Sequence, residues 1–376
     1  MPTSNPPKII IAAISSRAYV QAAVDAGFEV LAIDAFCDVD TQKLTHKTHQ
    51  IGLSEYGFNA KELLGTLDRL DLSDLQGLCY GAGFEAQPQL LVEMAKRLPV
   101  LGNSVETLRH CKNPQFFWEL CNAFDMRTPK ITFKRPRSTL GWVSKQIGAC
   151  GGAHIKPLLP LDLLYFLPNS SPVYYQQVTE GTPVSCLFLA DGVHAEVIGF
   201  SEQWCAPTMV SPYRYGGAVS HVAISQYCKK TITEFIRGIS FKLGLRGINS
   251  VDFLMEGDIL YALEINPRLS ATMGLYAAKR GNYFASHVEA CQAQLRNWPS
   301  VKGVSRAQQI IYAKQATKIP KNVDWPDWAC DITPPNSTIE AGAPLCTVLA
   351  EARVAGQAKQ EVLERAASLR QALMLA

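Results

Sequence analysis

The sequence has no paired-cysteine motif, little charge and no long hydrophobic run. Its 11 cysteines are scattered from Cys37 to Cys346 without a CxxC pair, which argues against a disulfide framework and against a thiolate zinc site. Charged residues make up 18% of the chain, the formal net charge is +3 and no basic stripe is present, so no nucleic-acid partner is expected. The apolar run Ile9–Ile14 is far too short to cross a bilayer. We expect a cytoplasmic globular protein with buried free thiols and no membrane partner.

Two common nucleotide-binding signatures are also missing. The strand-like run KIIIAAI, residues 8–14, is followed by Ser15-Ser16-Arg17, so the glycine fingerprint of a dinucleotide site is absent although Asp34 ends the next strand. A later glycine loop, residues 148–152, lacks the GxxxxGK(S/T) spacing of a Walker loop. Any phosphate site in this chain must therefore be built in another way.

The order of predicted elements divides the chain into four units. With 376 residues and 47% hydrophobic content, the chain is long enough to bury several cores. Strand, helix and strand alternate near the N-terminus, which predicts an α/β unit with a doubly wound parallel sheet. Two α+β lobes and a small C-terminal β unit with a closing helix follow. The predicted units are residues 1–103, 104–200, 201–300 and 301–376.

The segment LEINPRLS, residues 263–270, places an acid, an amide, a proline and an arginine directly after a strand-like run. The runs VDFLM and ILYALEI around Glu256-Gly257-Asp258 predict a β-hairpin. A three-residue loop would put Asp252, Glu264 and Asn266 on one face, whereas a two-residue loop would turn the two acids to opposite faces. Two close carboxylates and an amide, without imidazole or thiolate, are ligands typical of Mg²⁺. The alternative is an exposed polar hairpin face.

An upstream segment adds a lysine and a flexible loop. Residues 142–147 predict a strand that carries Lys145, and Gly148, Gly151 and Gly152 follow in a loop whose amides would approach phosphate closely. A simple hairpin connection is the alternative for a glycine loop taken alone. The order of lysine strand, glycine loop and acidic hairpin favours a phosphate site.

This order of motifs resembles the ATP-grasp superfamily, and the resemblance extends from the N-terminal unit to about Leu349. In the family's metal hairpin an acid is followed after twelve residues by a glutamate and two residues later by an asparagine, a spacing that Asp252, Glu264 and Asn266 keep. The resemblance implies that these three residues hold Mg²⁺, with Mn²⁺ as an alternative. Arg268 corresponds to the arginine that follows in members with an NPR motif.

The resemblance also implies an ATP site between two lobes. Lysines near the start of the central region and before the glycine loop contact the phosphates in the family. The segment YYQQVTEG, residues 174–181, is similar to the strand beside the adenine, although Gln177 stands where an acid is usual. The implied nucleotide contacts are Lys112, Lys145, Gly148, Gly151, Gly152, Gln176, Gln177, Val178 and Glu180.

The function that the resemblance implies is a carboxylate–amine ligase, which phosphorylates a carboxylate with ATP and passes the acyl group to an amine. Arg268 would stabilise the transferred phosphoryl group, and Arg214 would bind the substrate carboxylate. The loop Gly81-Ala82-Gly83 is a further expected substrate contact. The NPRLS ending is similar to ligases that join an amine to an amino acid, including the tyramine–glutamate ligases of methanofuran-type cofactor synthesis. The implied partners are small-molecule carboxylate and amine substrates, and a homodimer is common in this family.

Two other functions remain open. One is a carboxylase that forms carboxyphosphate from bicarbonate, although the chain has no biotinyl-lysine motif of the AMKM type. The other is a non-catalytic ATP-binding protein, which would not need a complete metal-ligand set. His154, His194 and His221 have no ligand spacing, and we interpret them as structural.

Overall fold

The computed structural model describes residues 6–158, 172–276, 283–295, 298 and 303–375. The elements of the N-terminal unit are β1 (Lys8–Ala13), α1 (Arg17–Asp25), β2 (Glu29–Asp34), α2 (Val39–Leu44), β3 (Lys47–Gln50), β4 (Leu53–Ser54), β5 (Gly57–Phe58), α3 (Ala60–Leu67), β6 (Leu75–Tyr80) and α4 (Gln89–Ala95). Four strands form a parallel sheet in the order β3-β2-β1-β6. The core strand β1 is buried on both faces. Ile9 and Ile11 pack with α1 on one face, and Ile10 packs with α3 and α4 on the other. The predicted α/β unit is confirmed.

Two helices and a small antiparallel sheet come next. They are α5 (Val105–Lys112), α6 (Pro114–Ala123), β7 (Ile131–Thr132), β8 (Trp142–Gln146), β9 (Lys156–Pro157) and β10 (Val173–Gln177), with the sheet order β7-β10-β8-β9. Ser104 caps α5 by accepting a hydrogen bond from the Thr107 amide at 3.1 Å. Asn113 caps α6, whose first residue is a proline, so the chain turns sharply just after Lys112. The turn fixes Lys112 at the end of α5.

The rest of the chain forms a large antiparallel sheet with helices on it. Its elements are β11 (Thr182–Asp191), β12 (Ala195–Cys205), β13 (Tyr215–Ser220), α7 (Gln226–Leu243), β14 (Arg246–Glu256), β15 (Ile259–Asn266), α8 (Tyr283–Cys291), β16 (Ser305–Tyr312), β17 (Thr317–Lys318), β18 (Ala329–Cys330), β19 (Thr338–Ile339), β20 (Pro344–Ala352) and α9 (Ala355–Leu375). Eight strands join in the order β15-β14-β11-β12-β13-β16-β20-β18.

The large sheet crosses two of the predicted unit boundaries. The boundary at residue 200 falls inside β12, and β16, β18 and β20 continue the sheet of the hairpin rather than forming a sheet of their own. The observed units therefore differ from the predicted ones at both places. At the later boundary, the antiparallel pairing of β13 with β16 places Ala218 opposite Gln308, although the two residues are far apart in the chain.

Hydrophobic cores lie on both faces of the large sheet. On one face Leu187 and Ile248 share a core with Ile9 and with Phe284 of α8, so the N-terminal unit and the sheet are packed together. On the other face α6 and α7 cover the sheet, and α9 covers its far end. Among the described residues, no helix is both long and apolar enough to span a membrane.

Candidate active site

The three residues predicted to bind the metal lie on one face of the hairpin. A β-bulge, rather than the length of the turn, brings them there. Glu256 pairs with Ile259, so the turn has two residues, and the predicted three-residue loop is wrong. A register shift follows, in which Phe253 pairs with Ala262 and Asp252 pairs with Glu264. Leu263 is the extra residue of a β-bulge, and this bulge brings the two acids directly opposite each other.

The bulge also decides which side chains reach the core. Leu260 and Ala262 are buried, and a regular strand would have carried Glu264 to their face. After the bulge Ile265 returns to the core with 0% exposure, whereas Glu264 and Asn266 turn to the face of Asp252. The strand thus supplies both a packed apolar face and a polar site.

Asp252 is a partly buried carboxylate on the first strand of the hairpin. Its Oδ2 accepts a hydrogen bond from Asn266 Nδ2 at 3.0 Å. Its buried Oδ1 makes no hydrogen bond of normal geometry with the described residues, although the Ser185 hydroxyl on the paired strand β11 acts on the carboxylate. Burial and the nearby charge of Glu264 raise the pKa of Asp252 to about 6. A buried carboxylate oxygen with so little hydrogen bonding is suited to ligate a cation.

Glu264 is paired with a lysine from another element. Lys112 Nζ donates to Glu264 Oε2 at 3.0 Å and to Asn266 Oδ1 at 2.8 Å. Burial acts to raise the pKa of Glu264, but the charges of Lys112 and Lys145 lower it to about 2. The glutamate is therefore a carboxylate, and its positive partner is Lys112, which the family resemblance implied would contact the nucleotide phosphates.

The donor set fits a hard divalent cation. Two carboxylates and one amide oxygen lie together, and the described residues hold no group of three or more His, Cys, Asp or Glu side chains that would suit another metal. The buried Asp252 Oδ1, which has only the Ser185 hydroxyl nearby and no hydrogen bond of normal geometry, favours a cation over a closed hydrogen-bond network. Asp252, Glu264 and Asn266 are the residues that would hold it.

Arg268 is held by an acid that sequence reasoning missed. Arg268 Nε donates to Glu85 Oε1, its Nη1 donates to the Leu269 carbonyl at 3.1 Å and its Nη2 lies 3.5 Å from Asn266 Oδ1. Glu85 Oε2 accepts from the amides of Gly83 and Phe84 at 2.8 and 3.0 Å. The glycine turn expected to contact substrate thus presents the acid that orients Arg268, and only its place after a parallel strand could have drawn attention to it.

A narrow cleft with a cavity volume of about 30 Å³ lies between α5, the small sheet and the hairpin. Lys112, Lys145, Gly148 and Glu264 line it, together with Tyr174 and His154. His154 had been interpreted as structural, but it faces this cleft, where burial and the charge of Lys145 lower its pKa to about 4. A larger cleft of about 500 Å³ lies between α2 and residues 320–335, and its lining includes none of the predicted site residues.

The predicted adenine strand lies beside this cleft. Lys145 and Gln176 are buried on neighbouring strands, with Lys145 Nζ 3.4 Å from Gln176 Oε1 and 5.8 Å from the centre of the Tyr174 ring. Gln177, Val178 and Glu180 are exposed where β10 ends. The amides of Gln177 and Val178 donate to the carbonyls of Lys130 and Gly141, so they are already used within the small lobe.

The glycine loop is packed between two other segments. An added Cβ at Gly148 would lie 2.6 Å from the Glu85 carbonyl oxygen, and one at Gly152 would lie 2.0 Å from the Tyr213 carbonyl oxygen. The Gly151 carbonyl accepts from the Tyr215 amide at 3.0 Å. These close approaches explain why glycine is needed at the two ends of the loop.

Arg214 is engaged away from the hairpin. Its Nε donates to the Ala206 carbonyl at 3.0 Å, its Nη1 donates to the Gly342 carbonyl at 3.1 Å, and its guanidinium lies 3.7 Å from the centre of the Tyr312 ring. None of these partners belongs to the metal hairpin. A role in binding the substrate carboxylate stays a prediction, and these contacts favour a structural role in seating the loop.

With this geometry described, the family can be stated. Residues 115–272 match the ATP-grasp domain family. The chain contains an ATP-grasp domain. The acidic hairpin, the glycine loop and Lys145 all lie within the matched segment, whereas Lys112 and Glu85 lie before it. The α/β fold with an ATP-grasp core, predicted from the motif order, is confirmed.

The curated relatives of this chain are distant. An uncharacterized protein of Methanocaldococcus jannaschii is 23% identical over 269 residues, which cover 69% of this chain and 63% of that protein. The carbamoyl phosphate synthase large chain of Thermoanaerobacter pseudethanolicus is 22% identical over 205 residues, 49% of this chain and 19% of that protein. The chain thus spans less than two thirds of the length of these relatives.

Solved structures with the same fold cover nearly the whole chain. An L-amino acid ligase from Bacillus licheniformis has a TM-score of 0.69 at 11% identity and covers 96% of this chain and 97% of its own. An N5-carboxyaminoimidazole synthetase from Staphylococcus aureus, complexed with ADP, has a TM-score of 0.66 at 13% identity, with 96% and 97% covered. The biotin carboxylase domain of a Hydrogenobacter thermophilus 2-oxoglutarate carboxylase, solved with MgADP and bicarbonate, has a TM-score of 0.70 at 10% identity, with 96% and 90% covered. At these identities the likeness shows the fold.

Proposed function

We propose that this chain is an ATP-dependent ligase that activates a carboxylate as an acyl phosphate and couples it to an amine. The observation that carries the proposal is the polar face of the hairpin, where two opposed carboxylates and an amide lie beside Arg268 and two buried lysines. Such a concentration of paired charges is costly to build unless it serves a charged ligand.

The nucleotide is assigned to the cleft between the small lobe and the hairpin. Lys145 would neutralise phosphate oxygens from one wall, and the glycine loop would cover them with its amides. Gln176, Gln177, Val178 and Glu180 lie on the strand where the adenosine would be bound, as in the sequence-based prediction. Phosphoryl transfer depends mainly on positioning and charge neutralisation, which suits a site without a nucleophilic side chain.

Asp252, Glu264 and Asn266 would hold Mg²⁺, with Mn²⁺ as a substitute. When bound there, the cation would supply positive charge to the oxygens of the transferred phosphoryl group. The side chains themselves provide the hard oxygen ligands, and the low pKa of Glu264 keeps one of them ionised at neutral pH. The bulge at Leu263 keeps all three ligands on the cleft side of the strand.

The chemical steps place the substrate next to Arg268. A carboxylate oxygen attacks the γ-phosphorus, the bond to the bridging oxygen breaks and ADP leaves. The nitrogen of a neutral amine then attacks the acyl carbon, phosphate leaves and the amine loses a proton. Arg268, fixed by Glu85, is oriented to stabilise negative charge in both steps. The tyramine and glutamate pair, the cytoplasmic location and a homodimer remain predictions.

A carboxylase is the second candidate, because the fold is shared with a biotin carboxylase domain and with carboxyaminoimidazole synthetases. In that case bicarbonate takes the place of the organic acid, and the same residues would serve carboxyphosphate formation. The intact ligand set and the fixed Arg268 argue against a protein that only binds ATP.

The test is a screen for ADP release with Mg-ATP over pools of carboxylic acids and amines, with bicarbonate as a separate pool. Mass spectrometry then identifies products in the positive pools. A new amide that needs both an acid and an amine supports the ligase, and release that needs bicarbonate supports the carboxylase. The matched control is Glu264→Gln, which should lose turnover and keep its fold. Wild-type turnover in this variant would overturn the assignment of the metal site.

A further inference from the structure

We propose that Lys112 is a built-in competitor of the metal ion, which holds the ligand set until a nucleotide draws it away. The inference rests on the proposed function, since that function assigns Glu264 and Asn266 to the metal. It adds an order of binding to the site, in which the divalent cation binds well only together with the nucleotide.

The geometry places the lysine ammonium on the ligand oxygens themselves. Lys112 Nζ is 3.0 Å from Glu264 Oε2 and 2.8 Å from Asn266 Oδ1, and its side chain is only 6% exposed. One positive charge is therefore shared between two of the three predicted ligand residues. A metal ion that binds the same two oxygens must displace the ammonium, because both cannot occupy the same position.

The position of Lys112 in the fold allows its ammonium group to leave the ligand oxygens. Lys112 is the last residue of α5, at the mouth of the cleft that is assigned to the phosphates, and it lines that cleft. Nucleotide phosphates offer it a second anionic partner, which offsets the loss of Glu264. Metal and nucleotide then favour each other, because each makes the other's site more accessible, and this coupling is reciprocal.

Lys145 provides a matched comparison within the same cleft. It is buried and positively charged, and its charge acts on Glu264, but its hydrogen bonds are to Gln176 and Tyr174 rather than to the ligand oxygens. Removing Lys145 changes the local potential without vacating the ligand oxygens. Removing Lys112 changes the local electrostatic potential and also frees the ligand oxygens of Glu264 and Asn266. The difference between the two variants isolates direct competition.

The experiment measures Mn²⁺ binding to the nucleotide-free full-length protein by electron paramagnetic resonance, in wild type, Lys112→Met and Lys145→Met. Lys112→Met is expected to bind Mn²⁺ about tenfold more tightly than wild type, and Lys145→Met much less so. Adding a non-hydrolysable ATP analogue should raise the Mn²⁺ affinity of wild type strongly and that of Lys112→Met only slightly. Circular dichroism checks the folding of each variant.

Outcomes separate the inference from the proposed function. If Lys112→Met is folded and binds Mn²⁺ no more tightly than wild type, or no more tightly than Lys145→Met, direct competition is wrong. Lys112→Gln, which keeps a polar side chain, replaces the methionine variant if that variant unfolds. A wild-type protein that binds no ATP analogue would refute the proposed function, while the metal-only comparison would still decide the role of Lys112.

Discussion

Glu85 is a buried acid outside the set of residues predicted from the sequence, and it holds the Arg268 side chain in place. It is 5% exposed, and it accepts hydrogen bonds from two backbone amides and from Arg268, which is itself 8% exposed. Spacing in the sequence predicted Asp252, Glu264, Asn266 and Arg268, because they lie on one hairpin. It could not predict Glu85, since this acid comes from another unit and meets Arg268 only in the folded chain.

Breaking this buried pair should destabilise the fold. Glu85→Gln leaves the Arg268 charge buried without its partner, and we expect a loss of about 3–5 kcal/mol in the free energy of unfolding. The measurement is urea unfolding at neutral pH. Glu93→Gln, at an exposed pair with Lys96, is the control and should change the free energy little. Equal effects of the two changes would contradict the account of Glu85.

The Glu85 pair should also give a defined pH dependence. Burial acts to raise the pKa of Glu85, but the charges of Arg268 and Lys112 and the hydrogen bonds lower it below its usual 4.5. The unfolded state therefore binds the proton more readily, so the carboxylate stabilises the fold fully above 4.5 and less as the pH falls through the lower folded value. The stability gap between wild type and Glu85→Gln should narrow on acidification. If the difference in the free energy of unfolding between wild type and Glu85→Gln widens towards low pH, the pKa of Glu85 is raised on folding rather than lowered.

At the scale of elements, the bulge in β15 is the feature that turns a core strand into a site. Two apolar sets compete in this strand, Leu260 with Ala262 and Leu263 with Ile265, and pattern alone does not say which set faces the core. The structure uses the first set near the turn and Ile265 after the bulge. Local sequence therefore predicted the partners of the site, but it gave the wrong turn length.

The glycine loop allows a second test at this scale. Gly151 and Gly152 have φ angles of +72° and +74°, so an added side chain strains both about equally. Of these two glycines, only Gly152 would clash with backbone, because its added Cβ would lie 2.0 Å from the Tyr213 carbonyl oxygen, whereas an added Cβ at Gly151 would have no atom within 4 Å among the described residues. Gly152→Ala should prevent the loop from packing and weaken binding of an ATP analogue by about tenfold, or roughly 1.4 kcal/mol.

Gly151→Ala is the matched control for this change, measured by calorimetric titration with the same analogue. It should reduce affinity far less than Gly152→Ala, because it adds strain without a clash. If both variants lose affinity equally, the contact between the loop and Tyr213 does not matter for the nucleotide site.

For the whole molecule, the N-terminal unit and the hairpin are joined by a polar junction. The side chain of Asn103 donates to Asn249 Oδ1 at 2.7 Å and to the Pro267 carbonyl at 2.9 Å, and it accepts from the Arg246 amide at 2.8 Å. Tyr80 Oη also lies 3.1 Å from the Pro267 carbonyl. The junction fixes the backbone just before Arg268, so the packing of units determines the position of the site.

Asn103→Ala should therefore destabilise the molecule by leaving several buried groups unpaired. We expect a loss of about 3 kcal/mol in the free energy of unfolding. Urea unfolding measures it, with exposed Asn122→Ala as the control. A loss no larger than that of Asn122→Ala would mean that the junction contributes nothing.

The N-terminal unit was predictable from the sequence, because apolar runs buried on both faces are unambiguous. The two units that meet at residue 200 were less predictable. Strand β11 joins the large sheet by pairing with β14, from Thr182 opposite Met255 to Asp191 opposite Arg246, and β12 joins it by pairing with β11. Long-range pairing of this kind leaves no local signal in the residues beside the boundary. The junction at Asn103 was unpredictable for the same reason.

The central claim is that the carboxylate substrate is activated by phosphorylation. The most direct test supplies the carboxylic acid labelled with oxygen-18 in its carboxyl group, together with the amine and Mg-ATP, and analyses the released phosphate by mass spectrometry. If an acyl phosphate forms, one labelled oxygen passes from the acid into phosphate as the amide appears. Unlabelled phosphate, or label that enters phosphate only from oxygen-18 water, would contradict the account.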